Sequence, residues 1–222
     1  PALITNFLGG ERSGGGDLAG GDGAGLLRLR GGLKLRHAEI QAAGILNDAT
    51  TYDANIGGDG KALCATNHAY DLGTWGNRPT TDGSLNETNL LTSVLNIRKN
   101  FVDEAGINIM ARPQKLVIPV DAIPTAERLL RTELRPGTAN NDVNAIRTME
   151  GGVTEYIAID KLTSTTAWFL TTNIEGLVLL EKVKYETSMW TDDSTDNLLV
   201  KGYEMYVFAY NNPRCIYGNF PS

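Results

Sequence analysis

The residues that could carry chemistry are few and poorly spaced for it. His37-Ala38-Glu39 reproduces the His-x-Glu half of a zinc deaminase signature, in which His binds the metal and Glu shuttles protons. The complementary Pro-Cys-x-x-Cys half shrinks to Pro213-Arg214-Cys215, so the motif fails. His68 has no second ligand at a metal spacing. Ser and Asp abound, yet no Gly-x-Ser-x-Gly elbow marks one serine as a nucleophile. Gly14-x-Gly16-x-x-Ala19 matches the relaxed dinucleotide fingerprint in letters only, because that turn must join a strand to a helix and here more glycine follows. A phosphate loop of the type Gly-x4-Gly-Lys-Ser/Thr is missing too. Asp192, Asp193 and Asp196 offer carboxylates to calcium without the spacing or the glycine of an EF-hand loop. Gly57-Gly58-Asp59-Gly60 is a single copy of a repeat that holds calcium only when stacked. Trp75, Trp168 and Trp190, with Tyr185, Tyr203, Tyr206 and Tyr210, could stack on bases, but such platforms sit in basic grooves. Among acidic neighbours they read as core and interface packing. The expectation is a chain with no catalytic residue, no cofactor and no metal.

Bulk properties point the same way. The 222 residues carry 20 basic and 26 acidic side chains, a net charge of −6, which argues against dedicated nucleic-acid binding. It does not argue against a wall that merely encloses DNA. No apolar run reaches the length of a membrane-spanning helix, and the N-terminal PALITNFLGG lacks the basic start and long apolar centre of a secretory signal. Two cysteines, Cys64 and Cys215, are too few for a disulfide framework and read as small buried thiols.

The elements behind these residues are legible in outline. Eleven of the 25 glycines precede Leu33, so the first part cannot bury enough side chain to order itself and reads as an arm. Leu33, Ile40, Ala43 and Leu46 predict the inner face of a helix running to Asn47, with Leu26, Leu27 and Leu29 extending it backwards. Ser84 and Glu87 predict a capping box for a second helix. Its apolar stripe would be Leu91, Val94, Leu95, Ile97, Phe101 and Val102, with Gly106 as the left-handed stop. Lys115–Val120 reads as a strand buried on both faces. A short amphipathic helix follows, capped by Asp121, with Ala126, Leu129 and Leu130 inward and Glu127, Arg128 and Arg131 outward. Tyr156–Ile159, Ala167–Thr172, Leu177–Thr187 and Leu198–Tyr210 read as strands. The last two form a ribbon with Val183, Tyr185, Tyr203, Met205 and Val207 turned to one face of each strand and 191–197 as its solvated loop. The result is a mixed α+β chain.

Several segments resemble one family jointly. They are Gly58-Asp59-Gly60-Lys61-Ala62-Leu63, Ala65-Thr66-Asn67-His68, Gly73-Thr74-Trp75-Gly76-Asn77-Arg78-Pro79, Arg112-Pro113-Gln114-Lys115-Leu116, Ala126-Glu127-Arg128-Leu129-Leu130, Arg135-Pro136-Gly137-Thr138 and Asn212-Pro213-Arg214 with Cys215-Ile216-Tyr217-Gly218. Together they are similar to tailed-phage major capsid proteins from about Lys34 to Phe220. The resemblance implies the Hong Kong 97 fold. Residues 1–25 would be an arm or extended-loop remnant, and 26–59 the spine helix with the first part of the peripheral domain. Residues 60–175 would be the axial domain, and 176–222 the C-terminal strands completing the peripheral domain. It implies a self-assembling subunit of hexamers and pentamers in an icosahedral virion shell, built in the host cytoplasm. That shell would enclose double-stranded DNA without sequence-specific binding, with portal, scaffold or decoration proteins as further partners and no membrane. Arg128, Arg131, Arg135, Asn140, Asn141 and Asp142 would make contacts between subunits near the capsomer axis. The Lys and Asn that cross-link some relatives have no match here. An encapsulin-like nanocompartment shell uses the same fold, and a hydrolase is the reading from a different class.

Overall fold

Leu116-Val117-Ile118 sits at the centre of the molecule, and all three side chains are fully buried. Alternation sends their side chains to opposite faces of a sheet, so burial of all three requires a layer on each side. The computed structural model, which describes residues 38–54, 59–133 and 143–221, supplies both layers. Strand β3 (Pro113–Pro119) pairs in parallel with β4 (Glu155–Ile159) and antiparallel with β5 (Trp168–Thr172), and β5 pairs antiparallel with β8 (Ile216–Asn219). The sheet order is β4-β3-β5-β8. Two short strands, β1 (His68–Tyr70) and β2 (Gly73–Trp75), form a hairpin beside it.

One face of the sheet carries Leu116, Ile118, Trp168, Leu170 and Tyr217 against α2 (Glu87–Asn100), α3 (Ile123–Arg131) and α4 (Ala145–Thr148). Helix α2 presents Leu90, Val94 and Ile97 to it, followed by Phe101, a stripe at helical spacing. The expected capping box is not formed. Asn86 is the N-cap, and its side chain accepts from the backbone N–H of Asn89 at 2.8 Å. Leu95, expected inside, is 41% exposed. Gly106 does adopt φ +81°, but in a turn beyond the helix, where Asp103 accepts from the backbone N–H of Ala105 and Ile107. The stop is supplied from elsewhere: the side-chain amide of Asn108 donates to the carbonyls of Arg98 and Lys99. Asp121 does not cap α3 either. It lies in a 3-10 turn (Val120–Ala122), and the N-cap Ala122 has no side-chain bond, with Pro124 in the first turn. Ala126, Leu129 and Leu130 point inward as expected.

The other face carries Val117, Phe169 and Ile216 against α1 (38–47) and the base of a two-stranded ribbon. Helix α1 seats Ala42, Ile45 and Leu46 in this layer, with Ala49 just beyond its end; Ala43 and Leu46 are buried as expected, whereas Ile40, expected inward, is 53% exposed. The end of α1 is tied down by Asn47, which donates to the carbonyl of Lys161 and accepts from the N–H of Thr163. The ribbon is made of β6 (Leu177–Asp192) and β7 (Asn197–Tyr210), paired in antiparallel fashion with two register shifts in β6 between Glu181 and Glu186. The molecule is mixed helix and strand, consistent with the α+β expectation.

Candidate assembly surface

The base of the arginine-bearing segment is ordered by side-chain hydrogen bonds. Asn144 is fully buried where α3 and α4 meet. Its amide donates to the carbonyls of Leu129 (2.7 Å) and Thr132 (3.0 Å), its Oδ1 accepts from the N–H of Ile146, and its backbone N–H donates to Glu133. Glu133 and Asn144 are therefore stitched together. The Thr132 hydroxyl donates to the carbonyl of Arg128, closing the last turn of α3.

Arg128 is exposed and forms no ion pair with any described residue. Arg131 lies 3.5 Å from Glu127, one helical turn back, and that carboxylate also accepts from the Tyr156 hydroxyl at 2.8 Å. This hydrogen bond raises the pKa of the phenol, because losing the proton would set two anions face to face. Arg147 donates to the carbonyl of Arg131 and stands 3.7 Å from Glu133. Helix α3 thus offers a free guanidinium and a braced one on the same exposed flank. Arg135, Asn140, Asn141 and Asp142 lie outside the described residues.

A second polar constellation links residues 59–77 to 213–216. Asn77 is buried, and its amide nitrogen donates to the carbonyls of Leu63, Pro213 and Ile216. Its Oδ1 accepts from the N–H of Ala65 and from His68 Nε2, which fixes the hydrogen on that nitrogen. His68 Nδ1 faces Asp59 at 2.6 Å, and Trp75 stacks on the ring at 4.8 Å. Arg214 lies over the Trp75 ring, donates to the carbonyl of Val102 and pairs with Glu104 at 3.1 Å. A cleft of about 430 Å³ opens beside this group, with Asp59, Glu104 and Glu175 in its wall. Each polar atom of Asn77 and His68 is spent on a structural partner. Residue order gave no sign of this knot beyond the Asn-Arg-Pro and Asn-Pro-Arg segments that supply it.

Trp75 and Trp168 are core residues, and the indole N–H of Trp168 donates to the carbonyl of Gly83. Trp190 differs. It sits near the tip of the β6–β7 ribbon and is half exposed, as are Tyr203 and Tyr185. Among the described residues, no group of three His, Cys, Asp or Glu side chains could hold a metal ion. At the ribbon tip, Asp192 accepts from Ser194 and Thr195, which holds its pKa below the usual carboxylate value. Asp196 takes φ +56° there and closes the turn.

A family model described as phage capsid protein matches residues 34–219, a span that takes in every described helix and strand. No curated protein matches the chain. Among solved structures, the chain is similar to a crystal structure of a virus-like particle from Pyrococcus furiosus, at 12% identity and a TM-score of 0.35. The similarity covers 64% of this chain and 55% of that one, so this chain spans little more than half of that protein's length. The family match, over most of the chain, carries the assignment: this chain belongs to the phage capsid protein family.

Proposed function

We propose that this chain is the major capsid protein of a tailed phage, with a Hong Kong 97-like subunit that closes into hexamers and pentamers around double-stranded DNA. The observation that carries the reading is the capsid-family match over residues 34–219. The architecture is compatible with it. Helix α1 and the base of the late β6–β7 ribbon share one hydrophobic layer, while 60–175 supply most of the other. In this reading 1–25 form the arm, 26–59 and 176–222 the peripheral domain, and 60–175 the axial domain.

Ring contacts are heterologous, one patch meeting a different patch on the next copy. Arg128 and Arg131, with Arg135, Asn140, Asn141 and Asp142, contact the neighbouring subunit near the capsomer axis. The Asn144 stitch would hold this segment in place on each copy. One exposed ion pair contributes only about 0–1 kcal/mol, so closure rests on many contacts made at once. Arg135→Ala is expected to fold normally and assemble poorly, and normal assembly would remove it from the contact set. The test of the function is electron microscopy of the purified chain with nucleic-acid analysis of any particles. Closed shells that take up double-stranded DNA support the reading. A chain that stays monomeric as the full gene product overturns it.

A further inference from the structure

The β6–β7 ribbon has two unlike faces. Opposed residues of an antiparallel pair share a face, and the register sorts the side chains. Leu177 opposite Tyr210, Leu179 opposite Phe208 and Glu181 opposite Tyr206 point one way. At its base this inner face meets α1, since Leu177, Tyr206, Phe208 and Tyr210 pack in one cluster with Ala38, Ala42 and Ile45, whereas Leu179 and, farther out, Met189 and Leu198 on the same face are 42–65% exposed. Leu180 opposite Val207, Val183 opposite Met205 and Trp190 opposite Leu199 point the other way, together with Tyr203. None of these outer side chains is buried; Leu180, Trp190, Leu199, Tyr203, Met205 and Val207 are 40–58% exposed.

The outer face has a definite chemistry. A polar belt of Glu186, Ser188 and Lys201 separates a proximal apolar block at Leu180, Val183, Met205 and Val207 from a distal one at Trp190 and Leu199. One carboxylate and one ammonium leave the belt neutral, which does not suit a polyanion. The outer strip presents its apolar surface as two blocks of largely half-exposed side chains, more together than the single scattered apolar residues normal on a monomer. It would supply the core of a standard interface, which buries about 800 Å² per partner, with the belt completing it. The chain's own N-terminal portion joins at Ala38, on the inner side. A protein that belongs to a capsid family meets its own copies at high local concentration.

We propose that the outer face of the β6–β7 ribbon is a contact between subunits, covered by a second copy of this chain. The proposal rests on the self-assembly reading above and adds a surface to it, distinct from the arginine flank of α3. Trp190 reports on it directly, because Trp75 and Trp168 are already buried. The experiment is acrylamide quenching of the full chain, dilute and assembled, alongside Leu180→Glu/Met205→Glu and the control Leu72→Glu. Leu72 is exposed in the β1–β2 turn, away from the ribbon.

The expected result is at least a threefold drop in Trp190 quenching on association. The double variant should keep the far-ultraviolet circular dichroism of the parent and lose at least tenfold in particle yield, while Leu72→Glu assembles normally. Particles in which Trp190 stays as accessible as in the dilute chain overturn the proposal and leave the shell reading intact. So does a dilute monomer with Trp190 already protected, because the chain's own residues would then cover the face. A dimer that protects Trp190 without forming a shell supports the contact and overturns the shell. A monomer with Trp190 open at every concentration overturns both. The quenching of the unmodified chain decides the matter even if the double variant fails to fold.

Discussion

Asn77 shows how much of this protein depends on single side chains that composition classes as loop polar. A buried group left without its partner costs about 1–3 kcal/mol, and Asn77→Ala would strand three carbonyls, one backbone N–H and His68 Nε2. The variant is expected to lose about 3 kcal/mol or more, read as a lowered thermal midpoint. Asn77→Asp should fare no better, since a carboxylate oxygen would face the three carbonyls. The two thiols give a second prediction. Burial pushes Cys215 up to about 12 and Cys64 higher still, so neither should react with an alkylating reagent in the native chain at pH 8. The folded state keeps these protons after unfolded thiols, near 9.0, have lost theirs. Their stabilisation is therefore complete below pH 9 and falls as pH rises toward 12, by ~1.4 kcal/mol per pH unit per thiol. Urea titrations from pH 8 to 11 would show the slope, and Cys64→Ala/Cys215→Ala should flatten it.

At the scale of elements, the positions of strands and helices follow local pattern, but their ends and faces follow neighbours. Helix α2 stops where Asn108 reaches its last carbonyls, not at a glycine. Strand β6 alternates, yet its register shifts send Tyr185 across Gly202 on the inner face and leave Val183 with Met205 on the outer one. The expectation that Val183 and Tyr185 share a face fails for that reason: a bulge reverses alternation without changing composition. The ribbon leaves the body at Gly176, whose carbonyl accepts from the N–H of Asn211. A Cβ there would run into the Asn212 carbonyl and stand 2.8 Å from the Cys215 sulfur. Gly176→Ala is expected to lose about 1–3 kcal/mol through overpacking, measured by chemical denaturation. An unchanged midpoint would mean that the ribbon base yields more easily than its packing implies.

The body has a two-sided core, and the ribbon is covered on one face at its base only. Stability should divide the same way, because slow exchange needs buried contacts around each hydrogen bond. Hydrogen exchange of the dilute chain should show β3, β5 and β8 as the most protected segments. Amides of β6 and β7 beyond Glu181 and Tyr206 should exchange much faster. If the ribbon is an assembly element, its protection should rise when the chain associates while that of β3 stays level. Equal protection of ribbon and sheet in the dilute chain would contradict the division.

Sequence alone determined the local elements. The run Leu116-Val117-Ile118 is apolar on both parities and read as a strand covered on both faces, and Leu91, Val94, Leu95, Ile97, Phe101 and Val102 read as a helix against a core, although Leu90 takes an inner place and Leu95 is exposed. It also carried the capsid resemblance through segments spread from Gly58 to Gly218, and the family match covers that span. Tertiary structure decided what depends on residues far apart in the chain. It put Ala42, Ile45 and Ala49 inward instead of Ile40, buried Asn77 and Asn144 as hydrogen-bond hubs, and covered one face of the ribbon at its base. Periodicity is a property of neighbours in sequence, whereas close approach, shared hydrogen bonds and strand register are set by partners up to 149 positions away, as Lys61 and Tyr210 are.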